Sequence, residues 1–127
     1  MFRTDLLKFI KDYKTKDIVA ILCIDANEDM KDRKLAQSLI QECYKELYNN
    51  KFPNVETPVL WFRGSGKIDG IWIPSYLKQF NIAIAPHFLG AGDHCAILID
   101  IPPEHLLGQT LFSVCRPNMR RLTTANY

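Results

Sequence analysis

The stretch "DIVAILCID", residues 17 to 25, decides the predicted fold because its aliphatic run is nearly unbroken. Such a run is typical of a strand that is buried on both faces of a sheet. We therefore expect a central strand here. Asp25 and Asn27 stand at its carboxyl end, where polar side chains ordinarily form a turn or cap a helix. On its own this D-x-N pair indicates no more than that.

Helices are predicted on either side of this strand. The apolar positions between Thr4 and Lys14 recur at helical spacing, and those of residues 34–48 do so again up to the Asn49-Asn50 pair. We expect both helices to cover one side of the strand. The first part of the chain thus has the order helix, strand, helix.

Strands dominate the second part of the chain. Short apolar segments separated by proline and glycine predict four further strands, at residues 59–62, 67–74, 81–87 and 95–101. Single helical turns are expected at 75–80 and 104–108. The chain therefore reads as one α/β domain over residues 1–108, followed by a loosely packed tail or linker at 109–127.

Composition limits the class of protein. The chain has 127 residues, of which 47% are hydrophobic and 24% charged, as expected for one domain with a real core. Its net charge of +2 is too small to attract nucleic acid over a long range, so a nucleic-acid partner would need a local basic patch. No apolar run reaches the roughly 20 residues of a membrane helix, and the lysine-rich start is unlike a signal peptide. We expect an intracellular protein, nuclear or cytoplasmic, with no membrane partner.

The cysteines are predicted to be reduced thiols in the core. They show no C-x-x-C pair and no zinc-type spacing, and small apolar packing is the usual state of such residues. The four are Cys23, Cys43, Cys95 and Cys115.

Three ionisable residues of the second half are candidates for a site. Asp69 lies inside a predicted strand, where aspartate is disfavoured and a half-buried carboxylate needs a partner. Asp93 and His94 adjoin each other just before the last strand. His87 and His105 have no such neighbours and are read as ordinary polar residues.

Residues that could contact a substrate lie just before Asp69 in the sequence. Trp61, Arg63 and Lys67 combine an aromatic ring with two cations, a mixture suited to stacking on bases and contacting phosphates. The run "RGSGK" (63 to 67) lacks the remaining residues of a phosphate-binding loop and predicts a turn. Trp72, within a strand, is expected in the core.

Three motifs in order resemble the endonuclease/exonuclease/phosphatase superfamily, which includes abasic-site endonucleases. "LCIDANED", "GSGKIDGIW" and "AGDHCAILIDI" are similar to that family's G-D-x-N, R-[IL]-D-Y and S-D-H motifs. The segments "FRGSGKIDGIWIPSYL" and "FSVCRPNMRRLTTANY" further resemble retroelement-type endonucleases. Gly70 and Gly92 depart from the pattern, standing where the family has an aromatic residue and a serine.

The resemblance implies a fold and a role for each matched residue. The fold would be the carboxyl half of a four-layer α/β sandwich, with a mixed sheet and two helices on one face. Asp25 would deprotonate the attacking water, and Asn27 would fix Asp25 or donate to a phosphoryl oxygen. His94 would bind a nonbridging oxygen as a cation, with Asp69 holding its other nitrogen. Asp93 would help to bind Mg²⁺ or Mn²⁺.

The resemblance also implies incompleteness, because the family's first half supplies an asparagine and a metal-binding glutamate. We therefore expect near-background nuclease activity from the chain alone, and an exposed apolar sheet face that binds the missing half-domain or another protein. A DNA endonuclease is the leading hypothesis. An inactive remnant of the same fold and a small-molecule phosphatase of the same superfamily are the alternatives.

Overall fold

The computed structural model describes residues 2–26, 33–56, 58–64, 67–78, 80–89 and 92–107. It is a mixed α/β fold with small antiparallel sheets. The helices are α1 (Phe2–Thr15), α2 (Lys34–Gln41), α3 (Leu47–Lys51) and α4 (Pro103–Leu107). The strands are β1 (Leu22–Asp25), β2 (Tyr44–Glu46), β3 (Asp69–Pro74), β4 (Asn81–Ile84) and β5 (Ile97–Asp100). None of the helices in these ranges is long and apolar enough to cross a membrane.

The central strand of the larger sheet is β3, because the strand order is β1-β3-β2. The prediction that "DIVAILCID" is central is therefore wrong: only Leu22–Asp25 forms a strand, and it lies at an edge. Ile18 and Val19 are 47% and 42% exposed. An unbroken apolar run does not by itself distinguish a doubly buried strand from a chain segment covered on one side.

All three ladders of the two sheets are antiparallel. β1 and β2 pair with opposite edges of β3, and β4 pairs with β5 as a separate two-stranded sheet. The mixed sheet expected from the resemblance is not found among the residues that the structure describes.

The predicted helix over residues 34–48 is two helices with a strand between them. α2 ends at Gln41, and Cys43 has a φ of 61°, a conformation that cannot continue a helix. β2 then pairs with β3, and the side chain of Glu46 accepts hydrogen bonds from the backbone N–H groups of Tyr48 and Asn49 at the start of α3. Pairing with the central strand thus overrides local helix propensity.

Two hydrophobic clusters divide the molecule into three layers. The first lies between the sheet and helices α1 and α2, and contains Ile10, Leu22, Leu35, Ala36, Leu39, Tyr44 and Trp72. The second lies between the sheet and the β4–β5 hairpin, and contains Leu47, Ile71, Ile73, Leu77, Phe80 and Ile82. Successive β3 side chains enter opposite clusters, as strand geometry requires. Each large apolar side chain contributes about 1.5–3 kcal/mol when fully buried.

This layering corrects one expectation about exposed surface. The last five residues of β3 are buried, so the centre of the sheet does not show the open apolar face expected of a half-domain. The predicted burial of Trp72 is confirmed at 1% exposure.

Several local predictions differ from the structure in part. Residues 59–62 contribute only an isolated bridge at Trp61, and the expected helical turn after Pro74 is a hydrogen-bonded turn without a helix. The turn expected at 104–108 is α4. Cys23, Cys43 and Cys95 are free thiols, but Cys23 and Cys43 are exposed rather than in the core. Cys115 and the predicted tail at 109–127 lie outside the described residues.

Candidate functional site

Two carboxylates face each other across the end of the β1–β3 ladder. Asp25 and Asp69 are direct partners in its register, and a hydrogen bond of 2.9 Å from Ala26 N to Ile68 O continues the pairing by one residue. Like charges directly opposite each other destabilise an antiparallel pair. This arrangement therefore favours a cation beside the two carboxylates.

His94 supplies a cationic group at this position. Its Nδ1–H donates to Asp69 Oδ2 over 2.9 Å, which confirms the predicted contact between these two side chains. The hydrogen bond to Asp69 is the main cause of a raised pKa for His94, and the charges of Asp69, Asp93 and Asp25 act in the same direction against partial desolvation. The protonated imidazole is thus the form that this environment favours.

A short antiparallel contact holds Asp93 and His94 in place. Phe62 N donates to Asp93 O over 2.9 Å, and Cys95 N donates to Leu60 O over 2.8 Å, with Trp61 opposite His94 as a single bridge. The segment around Trp61 therefore holds the acid-histidine pair, Asp93 and His94, at the end of the sheet.

The side chain of Trp61 also orients Asp93. Its Nε1–H donates to Asp93 Oδ2 over 2.8 Å, and this bond is the main reason that the pKa of Asp93 is lowered. The charges of His94 and Arg63 contribute to the same shift. The other carboxylate oxygen, Oδ1, lies 3.9 Å from His94 Nε2.

Two glycines are required by this local geometry. A Cβ on Gly64 would lie 2.7 Å from Cε3 of the Trp61 ring, so a larger residue would displace the indole. Gly92 has a φ of 77°, which favours glycine over the serine of the family motif. The positive φ of residue 92 thus explains why this chain has glycine where the family motif has serine.

A cleft of about 270 Å³ opens over the paired carboxylates. At about 30 Å³ for each water molecule, this is room for about nine waters. Its polar lining comes from Asp25, Asp69 and His94, and its apolar lining includes Ile24, Ile71 and Ile97.

The donor set of the cleft fits a divalent ion. One ligand atom from each of Asp25, Asp69 and His94 can be chosen so that all three lie within 4.8 Å of one another. Carboxylate oxygens suit Mg²⁺ and Mn²⁺, so Asp25 and Asp69 are the ligands that this set offers, whereas protonated His94 has no lone pair for a metal ion.

The structure brings together most of the residues singled out in the sequence. Asp25, Asp69, Asp93 and His94 form one cluster, with Trp61 bonded to it and Arg63 near enough to affect Asp93. Asn27, the remaining member of the predicted catalytic set, lies outside the described residues.

Lys67 lies in a different environment. Its Nζ is 2.7 Å from Glu46 Oε2 and 4.9 Å from the ring centroid of Tyr48, and its side chain is only 4% exposed. Burial lowers the pKa of Lys67, while the neighbouring Glu46 charge opposes that shift. This burial does not support the predicted substrate contact, because the ammonium is taken up by an interior ion pair.

Two features of the site region had no sequence signal. Glu46 fell inside a predicted helix, so its pairing with a lysine beside β3 was not foreseeable. The hydrogen bond from Trp61 to Asp93 joins residues 32 positions apart, and only the fold brings them together.

Comparison with known proteins adds no family assignment. No family model matches the chain, and neither the curated proteins nor the solved structures searched contain a significant match.

Proposed function

We propose that this chain carries a divalent-metal-dependent site for phosphodiester hydrolysis, of the DNA endonuclease type found in retroelements. The fold that goes with it is the carboxyl half of a four-layer sandwich of the endonuclease/exonuclease/phosphatase superfamily. The observation that carries the proposal is the grouping of Asp25, Asp69 and His94 at one end of the sheet. The motif order "CIDAN", "KIDGIW" and "GDHC" supports the same activity.

Each residue of the cluster has a chemical task in this proposal. Asp25 orients the attacking water and accepts its proton. His94, held as a cation by Asp69, donates to a nonbridging oxygen of the phosphate and stabilises the charge that develops there. Asp69 is a positioning residue, since it fixes the His94 ring and raises its pKa.

A divalent ion, when bound, would offset negative charge on the phosphate oxygens. Asp25 and Asp69 would hold it, and Asp93, oriented by Trp61, lies next to His94. Arg63 is exposed near Asp93, where it is available to a phosphate of the substrate.

Plasmid nicking in Mg²⁺ or Mn²⁺ tests the proposal. We expect nicking by the purified chain only slightly above background, dependent on the metal ion, detectable only at high protein concentration, and lost in Asp25→Asn and in His94→Ala. Lys78→Gln, an exposed substitution outside the cluster, is the matched control and should nick like the wild type. Nicking that survives in both cluster variants would exclude this site as its source.

The same samples distinguish the alternative functions. Release of inorganic phosphate from small phosphomonoesters, without nicking, would identify the phosphatase alternative. Metal binding without either activity would identify the inactive remnant. Both outcomes contradict the endonuclease proposal.

A further inference from the structure

The outer layer of the fold contains a polar groove between α1 and α2 that the proposed active site does not use. It has a volume of about 580 Å³. Among the residues that the structure describes, four cations line it, Arg3, Lys8 and Lys11 from α1 and Lys34 from α2, against the one carboxylate of Asp12. The groove is therefore a local basic patch on a chain whose net charge is only +2.

Most of these cations have no internal ion-pair partner. Lys11 lies 3.4 Å from Glu42, which also pairs with Lys14. Across the part of the chain that the structure describes, no ion pair involves Arg3, Lys8 or Lys34. Their charge is available to an external anion.

The remaining lining matches the groups that contact nucleic-acid backbones. Thr4, Gln37, Ser38 and Gln41 add hydroxyl and amide groups, and Leu7 is the one apolar residue in the described lining of the groove. Phosphate oxygens in protein complexes are contacted by this mixture of basic, hydroxyl and amide side chains. The described residues of the groove include no aromatic ring for stacking on bases, so the contacts that they offer a nucleic acid are to its phosphates.

A membrane surface is the less favoured partner. A helix that lies in a lipid interface carries its cations beside a large apolar face. The exposed rings of Phe2 and Phe9 lie about half a turn around α1 from the row of Arg3, Leu7 and Lys11, at about 3.6 residues per turn. The basic groove and the aromatic side of α1 thus face different directions.

We infer that the groove between α1 and α2 binds the phosphate backbone of a nucleic acid, independently of base sequence. This function is separate from hydrolysis, because the groove lies on the helical layer and shares no lining residue with the cleft at Asp25, Asp69 and His94. Its partner is recognised by charge and by hydrogen bonds to phosphate oxygens.

The test is fluorescence anisotropy of a labelled DNA duplex with the full chain, in EDTA, over a series of salt concentrations. Working without metal ions separates this binding from the proposed hydrolysis. The groove variant is Lys8→Gln with Lys34→Gln. The matched control, Lys16→Gln with Lys78→Gln, removes the same charge from exposed positions outside the groove. Circular dichroism verifies that both variants are folded.

We expect the groove variant to bind about tenfold more weakly and its plot of log affinity against log salt to be shallower by about two, since each phosphate contact contributes about 0.9 to the slope. The control should change far less. Equal losses of DNA affinity in both variants would show that the effect depends only on net charge, and would overturn the inference. Absence of DNA binding by the wild type would overturn it as well. Tighter binding to phosphatidylserine vesicles, lost in the groove variant, would assign the groove to a membrane instead.

Discussion

Asp69 Oδ2 and His94 Nδ1 lie 2.9 Å apart, and this contact joins the central strand of the sheet to the loop before β5. It is the main cause of the raised pKa of His94. Asp69→Asn should therefore lower the pKa of His94 toward the ordinary value of about 6.5. Titration of the His94 ring protons by NMR measures the change, with Asp100→Asn, an exposed substitution on β5, as control. An unchanged His94 titration in Asp69→Asn would contradict the assigned cause.

The same contact predicts how stability depends on pH. Because the folded-state pKa of His94 is raised, its stabilising contribution is complete below the unfolded value of about 6.5 and is lost as the pH rises through the folded value. We expect the free energy of unfolding of wild type to exceed that of His94→Gln at about pH 5.5, and the difference to shrink by about pH 8.5. Urea unfolding at both pH values measures it. A difference that grows with pH would contradict the predicted sign.

A divalent ion should stabilise the fold through the paired carboxylates. At a concentration about 100 times its dissociation constant, an ion that binds only the folded state adds about 2.7 kcal/mol. We expect Mn²⁺ to raise the melting temperature of wild type, and expect no such rise in Asp25→Asn. Glu104→Gln, at an exposed carboxylate outside the cluster, should respond like the wild type. Equal Mn²⁺ responses in all three proteins would place the ion elsewhere.

The ion pair between Lys67 and Glu46 should stabilise the folded state. Removal of one partner of a buried pair typically costs about 3–5 kcal/mol, because the other charge is left buried. We expect Lys67→Met to lower the free energy of unfolding by an amount of this order. Adding Glu46→Gln to it should restore a large part of the loss, since the buried carboxylate charge is removed as well. Denaturant unfolding gives the coupling between the two positions.

The Lys67→Met variant also distinguishes an interior ion pair at Lys67 from a substrate contact. If the lysine contacted a phosphate, Lys67→Met would weaken DNA binding without lowering stability. That outcome would contradict the interior role that the structure gives it.

Gly64→Ala should disturb the acid-histidine pair through Trp61. The added Cβ would meet Cε3 of the indole at 2.7 Å, so the ring must turn and its hydrogen bond to Asp93 must lengthen. A ring displaced from its rotamer costs about 0.5–1.5 kcal/mol. The Trp61 indole N–H resonance should shift in NMR spectra. Gly92→Ala is the comparison, because it strains a positive φ but meets no atom within 4 Å, and it should leave that resonance in place.

The sequence was a better guide to the candidate site than to the sheet. Asp69 was recognisable because a carboxylate inside a strand needs a partner, and His94 is that partner. β1 was misplaced because burial of its apolar run depends on neighbours that the run itself does not specify. The split of the second predicted helix at Cys43 depends on pairing between β2 and β3. Glu46 and Trp72, for example, are 26 positions apart in the chain but are partners in the ladder, and such long-range pairing leaves no mark on local periodicity.

The edge position of β1 gives the two halves of the candidate site unequal local stability. The strand that carries Asp69 is paired to β1 at residues 69–72 and to β2 at residues 72–74, whereas the strand that carries Asp25 is paired only to β3 within the described sheet. Edge strands open in small fluctuations that leave the rest of a domain folded. Amide hydrogens of Leu22–Asp25 should therefore exchange with solvent earlier than those of the buried residues Trp72 and Ile73 in β3. In assembly of the site, the core would then form first. The approach of the two carboxylates would come last and would be the most easily reversed event.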